Sequence, residues 1–148
     1  MQIVHMTEKW IPSVLLLEQA CFSEPWSEAG LKEAVESPLY RYFVACEDDE
    51  LLGYGGMFFA GDEANVTNIA VAPQLRKKGV GTEIVRALLS EAKKNGAEKV
   101  FLEVRVGNEP ARHLYERCGF IEVGTRKDFY RGPKEDGAVY MYEIKKAE

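Results

Sequence analysis

The sequence predicts a mixed α+β chain: a mostly antiparallel sheet of about six or seven strands, four helices, and one parallel strand–helix–strand unit at its centre. Three observations predict it. Residues 79–95 carry Val80, Ile84, Val85, Leu88, Leu89 and Ala92 at helical spacing, and the runs EANVTNIAVA (63–72) and KVFLEVRV (99–106) on either side read as strands. The runs YRYFVACE (40–47) and LLGYGGMFFA (51–60) meet at the acidic turn Asp48, Asp49 and Glu50, which is a hairpin signal. A second strand pair, FIEVGTRKDFY (120–130) and AVYMYEIKK (138–146), closes the chain. A crossover between parallel strands of one sheet is right-handed, so strands 66–72 and 99–106 are expected to lie parallel.

Each element has a local reason. QIVHM (2–6) reads as a short strand, and Thr7 can cap the helical run 10–21. FSEPWS (22–27) interrupts that run. Ser27 can cap a second helix over 28–37, and Pro38 closes it because the residue before a proline is pushed out of the helical region. Gly53, Gly55 and Gly56 in the third strand suggest a bulge or a close backbone approach. Pro73 ends the strand before the central helix, and Gly96 stops that helix. EPARHLYERC (109–118) is a further helix stopped by Gly119, and RGPKEDG (131–137) is rich in turn formers and reads as a loop.

Composition bounds the function. A chain of 148 residues suits one domain, 1–148, with one sizeable core. No apolar run approaches the ~18 residues of a membrane span, so no membrane partner is expected. The first twelve residues lack the basic-then-apolar order of a secretory signal. Cys21, Cys46 and Cys118 are odd in number and have no metal-type spacing, which suggests reduced thiols in a cytoplasmic protein. A net charge of −5 argues against general nucleic-acid binding. His5 and His113 are far apart, with no metal or hydrolase pattern around either, so no metal is expected.

The stretch VAPQLRKKGVGTEIV (71–85) carries the chemistry. A strand runs into a glycine-containing turn that opens a helix. The first N–H groups of a helix lack internal partners, and its dipole adds about half a positive charge there. Gly79 and Gly81 permit close backbone approach, and Arg76, Lys77 and Lys78 add charge. Such a junction suits a pyrophosphate. The spacing fits neither an ATP P-loop nor a full dinucleotide fingerprint, and a solvated basic turn is the plainer alternative.

RKKGVG (76–81) resembles the pyrophosphate-binding pattern of the GNAT superfamily of acetyl-CoA-dependent N-acetyltransferases: Arg or Gln, two residues, Gly, one residue, then Gly or Ala. NIAVAP (68–73) is similar to the family's splayed strand, and GNEPARHLYERCGF (107–120) to its last motif. The resemblance implies the GNAT (acyl-CoA N-acyltransferase) fold, with acetyl-CoA as cosubstrate. It implies that Ile69, Ala70, Val71, Arg76, Lys77, Lys78, Gly79, Val80, Gly81, Thr82 and Asn108 bind the coenzyme. Within the superfamily, FSEPWS, NIAV and LEVRVGN look most like the RimI-type ribosomal-protein-alanine N-acetyltransferases. Their general base and general acid map to Glu103 and Tyr115, and Trp26 and Tyr130 are expected to line the acceptor site. The acceptor implied is the N-terminus of a ribosomal protein. The alternatives are another GNAT amine, on a small molecule or a lysine side chain, or a non-catalytic acyl-CoA-binding module. The tail KDFYRGPKEDGAVYMYEI keeps that family's aromatic-then-acidic pattern but not its residues.

The residues alone permit plainer readings. Alternation in VFLEVRV puts Phe101, Glu103 and Arg105 on one face, where a Glu is usually solvated or paired with an Arg. Tyr115, in phase with Ala111, Leu114 and Cys118, is ordinarily a core-edge aromatic. The acceptor chemistry leans one way. An α-amine has a pKa of roughly 8 and a lysine about 10.4, so near pH 7.4 freeing the lysine costs about 4 kcal/mol and freeing the α-amine under about 1. A single carboxylate base therefore suits an N-terminal amine more easily.

Overall fold

The computed structural model describes residues 1–22 and 25–144 of the chain. Ser23 and Glu24 of the FSEPWS segment, and Lys145 and Lys146 of the last expected strand, lie outside the described residues. Seven strands form one sheet: β1 Gln2–His5, β2 Tyr40–Glu47, β3 Glu50–Ala60, β4 Glu63–Val71, β5 Lys99–Arg105, β6 Ile121–Arg131 and β7 Lys134–Glu143. Four α-helices accompany them: α1 Ile11–Cys21, α2 Glu28–Glu36, α3 Val80–Lys94 and α4 Glu109–Arg117. The sheet order is β1-β2-β3-β4-β5-β7-β6. Among the described residues only β4 and β5 pair in parallel; the other neighbours are antiparallel.

Local chemistry sets the helix ends. Ser27 Oγ accepts from Gly30 N at 3.0 Å and opens α2. Asn108 Oδ1 accepts from Ala111 N at 3.3 Å and opens α4. Gly96 and Gly119 take positive φ, +81° and +101°, where α3 and α4 stop. Thr7 behaves differently from expectation. It precedes a short 3-10 turn, Glu8–Trp10, and its side chain makes no capping bond; α1 begins after that turn, with Pro12 in its first positions. Proline suits that place because the first N–H groups of a helix have no internal partner.

The sheet carries a core on each side. Against one face pack Trp10, Val14, Leu17 and Leu31 of the N-terminal helices, with Tyr42, Val44 and Tyr54 beneath them. Against the other pack Val80, Ile84, Val85, Leu88 and Ala92 of α3, over Val100, Leu102 and Val104 of β5. Fully burying an aliphatic side chain is worth about 1.5–3 kcal/mol, so the α3 stripe fixes that helix firmly. The glycines of β3 mark close approach, as expected. A Cβ on Gly56 would sit 2.1 Å from the Tyr42 ring. The β3–β4 register shifts beside Gly56, leaving Thr67 as the extra residue of a bulge.

Two expectations need correction. The parallel pairing of β4 and β5 covers Glu63 to Lys99, Ala64 to Val100 and Asn65 to Phe101, not 66–72 against 99–106. Beyond Asn65 and Phe101 the two strands part, although β4 stays paired to β3 as far as Val71. The segment RGPKEDG is also not a loop. Arg131 pairs with Lys134, Tyr130 with Glu135 and Gly137 with Arg126, so both strands run on to a turn at Gly132 and Pro133. Turn-forming residues set where the hairpin reverses, while β6 and β7 keep pairing with each other beyond Arg105 and Gly137, where the pairing with β5 ends.

Candidate active site

The parting of β4 and β5 opens a cleft of about 430 Å³. Its walls include Ile69, Ala70 and Val71 of β4, the turn from Arg76 to the start of α3, and the first turns of α4. Where β5 no longer pairs with it, β4 exposes backbone N–H and C=O groups that an extended ligand can meet as a strand would.

At one end the cleft is built for an anion. Lys77 takes φ +67° and Gly79 φ +86°, so two left-handed residues fold the chain back over the mouth of α3. Successive N–H groups in such a turn form a concave nest for negative charge. Gly79 is the N-cap residue and offers no side chain, so the first N–H groups of α3 remain for a ligand. Arg76, Lys77, Gly79, Gly81 and Thr82 all line this end, with Arg117 of α4 as a further cation. A Cβ on Gly81 would lie 3.0 Å from Leu114, so a larger residue there would narrow the passage between α3 and α4. An elongated ligand with a pyrophosphate at one end fits this shape and charge.

The other expected coenzyme residues divide. Asn108 lines the cleft while its Oδ1 caps α4. Val80 is 5% exposed and packs into the core, and the Lys78 side chain is not part of the lining. Cys21, Phe22, Leu75, Pro110, Ala111 and Leu114 complete the walls without having been singled out in the sequence. They are ordinary apolar residues of helix starts and ends, and nothing in their local pattern marks them.

Tyr115 borders the cleft and is 8% exposed. Its ring packs against Phe120 and Tyr140, with centroids 6.0 and 6.4 Å away. Burial first, then Tyr130 and Cys118 nearby, pushes its hydroxyl above the usual tyrosine range, so it stays protonated well into alkaline solution. The helix beneath it is held in place by Tyr140, whose hydroxyl donates to Glu116 at 2.7 Å and accepts from Arg112 Nε at 3.0 Å. Arg112 also donates to Val106 O at 2.7 Å.

Glu103 sits two residues past the last β4 contact of β5 and is not part of the cleft lining. Its carboxylate pairs with Arg126 Nε at 3.5 Å, so the Arg-paired reading of this position describes the present structure. Tyr130 lies within electrostatic reach of Glu103 and of Tyr115. Burial, then the Glu103 charge, pushes the Tyr130 hydroxyl up to about 12, against the opposing pull of Arg105. Glu103, Tyr130 and Tyr115 thus form one neighbourhood on the β5 side of the opening.

A buried polar cluster on the opposite side was missed in the sequence. Glu18 of α1 is fully buried, and its carboxylate accepts from Trp26 N at 2.8 Å, from the Tyr54 hydroxyl, and from Asn68 Nδ2 at 3.4 Å. The Trp26 indole donates to Asn68 Oδ1 at 2.7 Å. Burial raises the Glu18 carboxyl above its ordinary value, against these three donors. The cluster anchors Trp26, the expected acceptor-side residue, to the strand that carries Ile69. Its signal was phase: Glu18 falls in register with Val14 and Leu17 on the apolar stripe of α1.

The described residues thus join a seven-stranded mixed sheet, parted between its parallel strands, to a helix mouth suited to an anion. The profile of the Acetyltransferase (GNAT) family matches residues 11–120, and the chain belongs to that family, whose members draw an acetyl group from acetyl-CoA. It is 35% identical over 127 residues to the ribosomal protein bS18-alanine N-acetyltransferase of Haemophilus influenzae, covering 84% of this chain and 86% of that one. It is 32% identical over 127 residues to the Escherichia coli K12 protein of the same name, covering 86% and 84%. The crystal structure of the ribosomal-protein-S18-alanine N-acetyltransferase from Escherichia coli superposes with a TM-score of 0.88 at 28% identity, over 99% of this chain and 96% of that one. The chain is an N-acetyltransferase of RimI type. Among the described residues no helix is long and apolar enough to cross a membrane, and no group of three His, Cys, Asp or Glu side chains is placed to hold a metal ion.

Proposed function

We propose that this enzyme acetylates the free α-amine of an N-terminal alanine on a small-subunit ribosomal protein. The reading is supported by relatives of that name that match the chain over most of both lengths. The observation that carries it is the parting of β4 and β5 next to the coenzyme cleft, with Tyr115 of α4 on the cleft's border and Glu103 two residues past the last β4 contact of β5. Arg76, Lys77 and the first N–H groups of α3, those of Val80, Gly81 and Thr82, hold the pyrophosphate, with Lys78 adding charge at the rim. Ile69, Ala70 and Val71 pair with the extended arm of acetyl-CoA, and Asn108 reaches it from α4. The backbone N–H near Val71 polarises the thioester carbonyl.

Glu103 takes the proton of the incoming ammonium, directly or through a water, and the arriving cation competes with Arg126 for that carboxylate. Tyr115, kept protonated by burial, gives its proton to the departing coenzyme A sulfur. The amine nitrogen forms its bond to the acetyl carbon as the carbon–sulfur bond breaks. The nitrogen then releases its second proton, which restores the Tyr115 hydroxyl by way of water, and no covalent enzyme intermediate is needed. Trp26 and Tyr130 bound the acceptor.

Steady-state rates with an alanine-initiated peptide, set beside acetyl-CoA binding by calorimetry, test these roles. Glu103→Gln and Tyr115→Phe are each expected to lower kcat by about 100-fold or more while acetyl-CoA affinity changes little, since a positioned acid or base contributes roughly 10²–10⁴-fold. Tyr115→Phe keeps the ring packing on Phe120 and Tyr140, so the fold should survive. Undiminished turnover in either variant would remove that residue from the chemistry. A wild-type protein that binds acetyl-CoA and turns over no amine would be a coenzyme-binding module.

A further inference from the structure

Arg105 ends β5, two residues beyond Glu103 on the same face of the strand. One side chain gathers several distant groups there. Its Nη1 donates to Pro133 O at 2.6 Å and its Nη2 to Gly132 O at 3.2 Å, the two carbonyls of the β6–β7 turn. Nη1 also meets Glu135 Oε1 at 3.3 Å, and the guanidinium lies over the Tyr130 ring, 4.4 Å from its centre. The other oxygen of Glu135 accepts from Gly107 N at 2.7 Å, one residue before the Asn108 cap of α4. The Arg105 and Glu135 side chains are only 25% and 26% exposed, so these bonds are partly shielded from water.

The arrangement suits arginine specifically. A planar guanidinium can address two successive carbonyls and a carboxylate at once while stacking on an aromatic ring, which a lysine ammonium cannot. The hairpin tip it holds lies beyond the β5–β7 pairing, which ends at Arg105 and Gly137; there β6 is an edge strand, and its pairing with β7 is interrupted between Arg126 and Tyr130. Without the guanidinium, the turn would have to be ordered when a ligand arrives, and that ordering would subtract from binding.

We propose that Arg105 is a positioning residue for the amine acceptor, fixing the Gly132 and Pro133 turn and the Tyr130 ring against the end of β5 so that this wall of the acceptor site stands formed before the acceptor binds. The proposal rests on the reading above, in which Glu103 and Tyr130 face the acceptor. The coenzyme cleft is left alone by this role, since none of these residues lines it.

The test compares wild type with Arg105→Lys and with Glu135→Gln, using an alanine-initiated peptide, calorimetric acetyl-CoA binding, and amide exchange without acceptor. Arg105→Lys should raise the peptide KM by about tenfold, the effect of losing a charge-assisted bond, while kcat and acetyl-CoA Kd stay within about twofold. Exchange should quicken over 129–135 and not in β5 or α3. Glu135→Gln should show the same split with a smaller KM change. An unchanged KM in Arg105→Lys overturns the proposal. So does a parallel rise in peptide KM and acetyl-CoA Kd with faster exchange throughout the sheet, which would make Arg105 a general structural residue. Wild-type failure to use the peptide at all would instead sink the acceptor reading, and the proposal with it.

Discussion

Glu18 shows most clearly how one residue's surroundings set its behaviour. A carboxyl that is fully buried and raised above its ordinary value of 4.5 keeps its proton in the fold at pH values where the unfolded chain has released it. Its contribution to stability is therefore fully present below that ordinary value and is lost as pH rises through the folded value. Removing the ionisable group removes the slope. The Tm of Glu18→Gln relative to wild type should shift in favour of the variant as pH is raised from about 4 to about 7. A difference that does not vary with pH would contradict the assignment. Glu103 offers a contrast in legibility. Its strand and its face could be read from VFLEVRV, with an Arg pairing as one of two plain options there, but the partner could not, because Arg126 arrives from a hairpin 23 positions later (126 − 103) in the sequence. Side chains that meet across a sheet carry no local mark of each other.

At the scale of elements, the helices and their ends were legible because their signals are local. Ser27, Gly96 and Gly119 stand where a cap and two stops were expected, whereas Thr7 makes no cap and Asn108, expected only as a coenzyme contact, caps α4. The length of β6 and β7 was not legible, since turn-forming residues in RGPKEDG also satisfy strand pairing when the two strands of the hairpin face each other. Nor was the early parting of β4 and β5, which depends on how two strands distant in sequence diverge. The turn before α3 joins both scales. Gly79 adopts φ +86° with nothing within 4 Å of a would-be Cβ, so an alanine there costs only backbone strain. Gly61, at φ +63° in the β3–β4 turn, is equally unhindered and remote from the cleft. Alanine at either position should lower stability by about 1 kcal/mol, roughly 2–4 °C in Tm. Only Gly79→Ala should also weaken acetyl-CoA binding, by calorimetry. Equal binding losses, or none, would show that the turn geometry does not hold the coenzyme.

The whole molecule is an acetyltransferase in which a sheet divides the work. The mouth of α3 and the Asn108 end of α4 line one cleft with Tyr115, and in the proposed reading that cleft takes acetyl-CoA while Glu103 and Tyr130 face the acceptor. Fold and coenzyme were legible in the sequence because the strand, the glycine turn and the helix that build the anion site are contiguous. The acceptor was less so, since the walls proposed for it, Trp26 and Tyr130, lie far apart in the chain. The central claim is that the acceptor is a free N-terminal α-amine. The most direct test is the rate of thiol release from acetyl-CoA with three acceptors in parallel: a peptide beginning with alanine, the same peptide blocked at its N-terminus and containing lysine, and a polyamine. Release confined to the free alanine peptide is the predicted result. Release with the blocked peptide or the polyamine, and none with the alanine peptide, would contradict it.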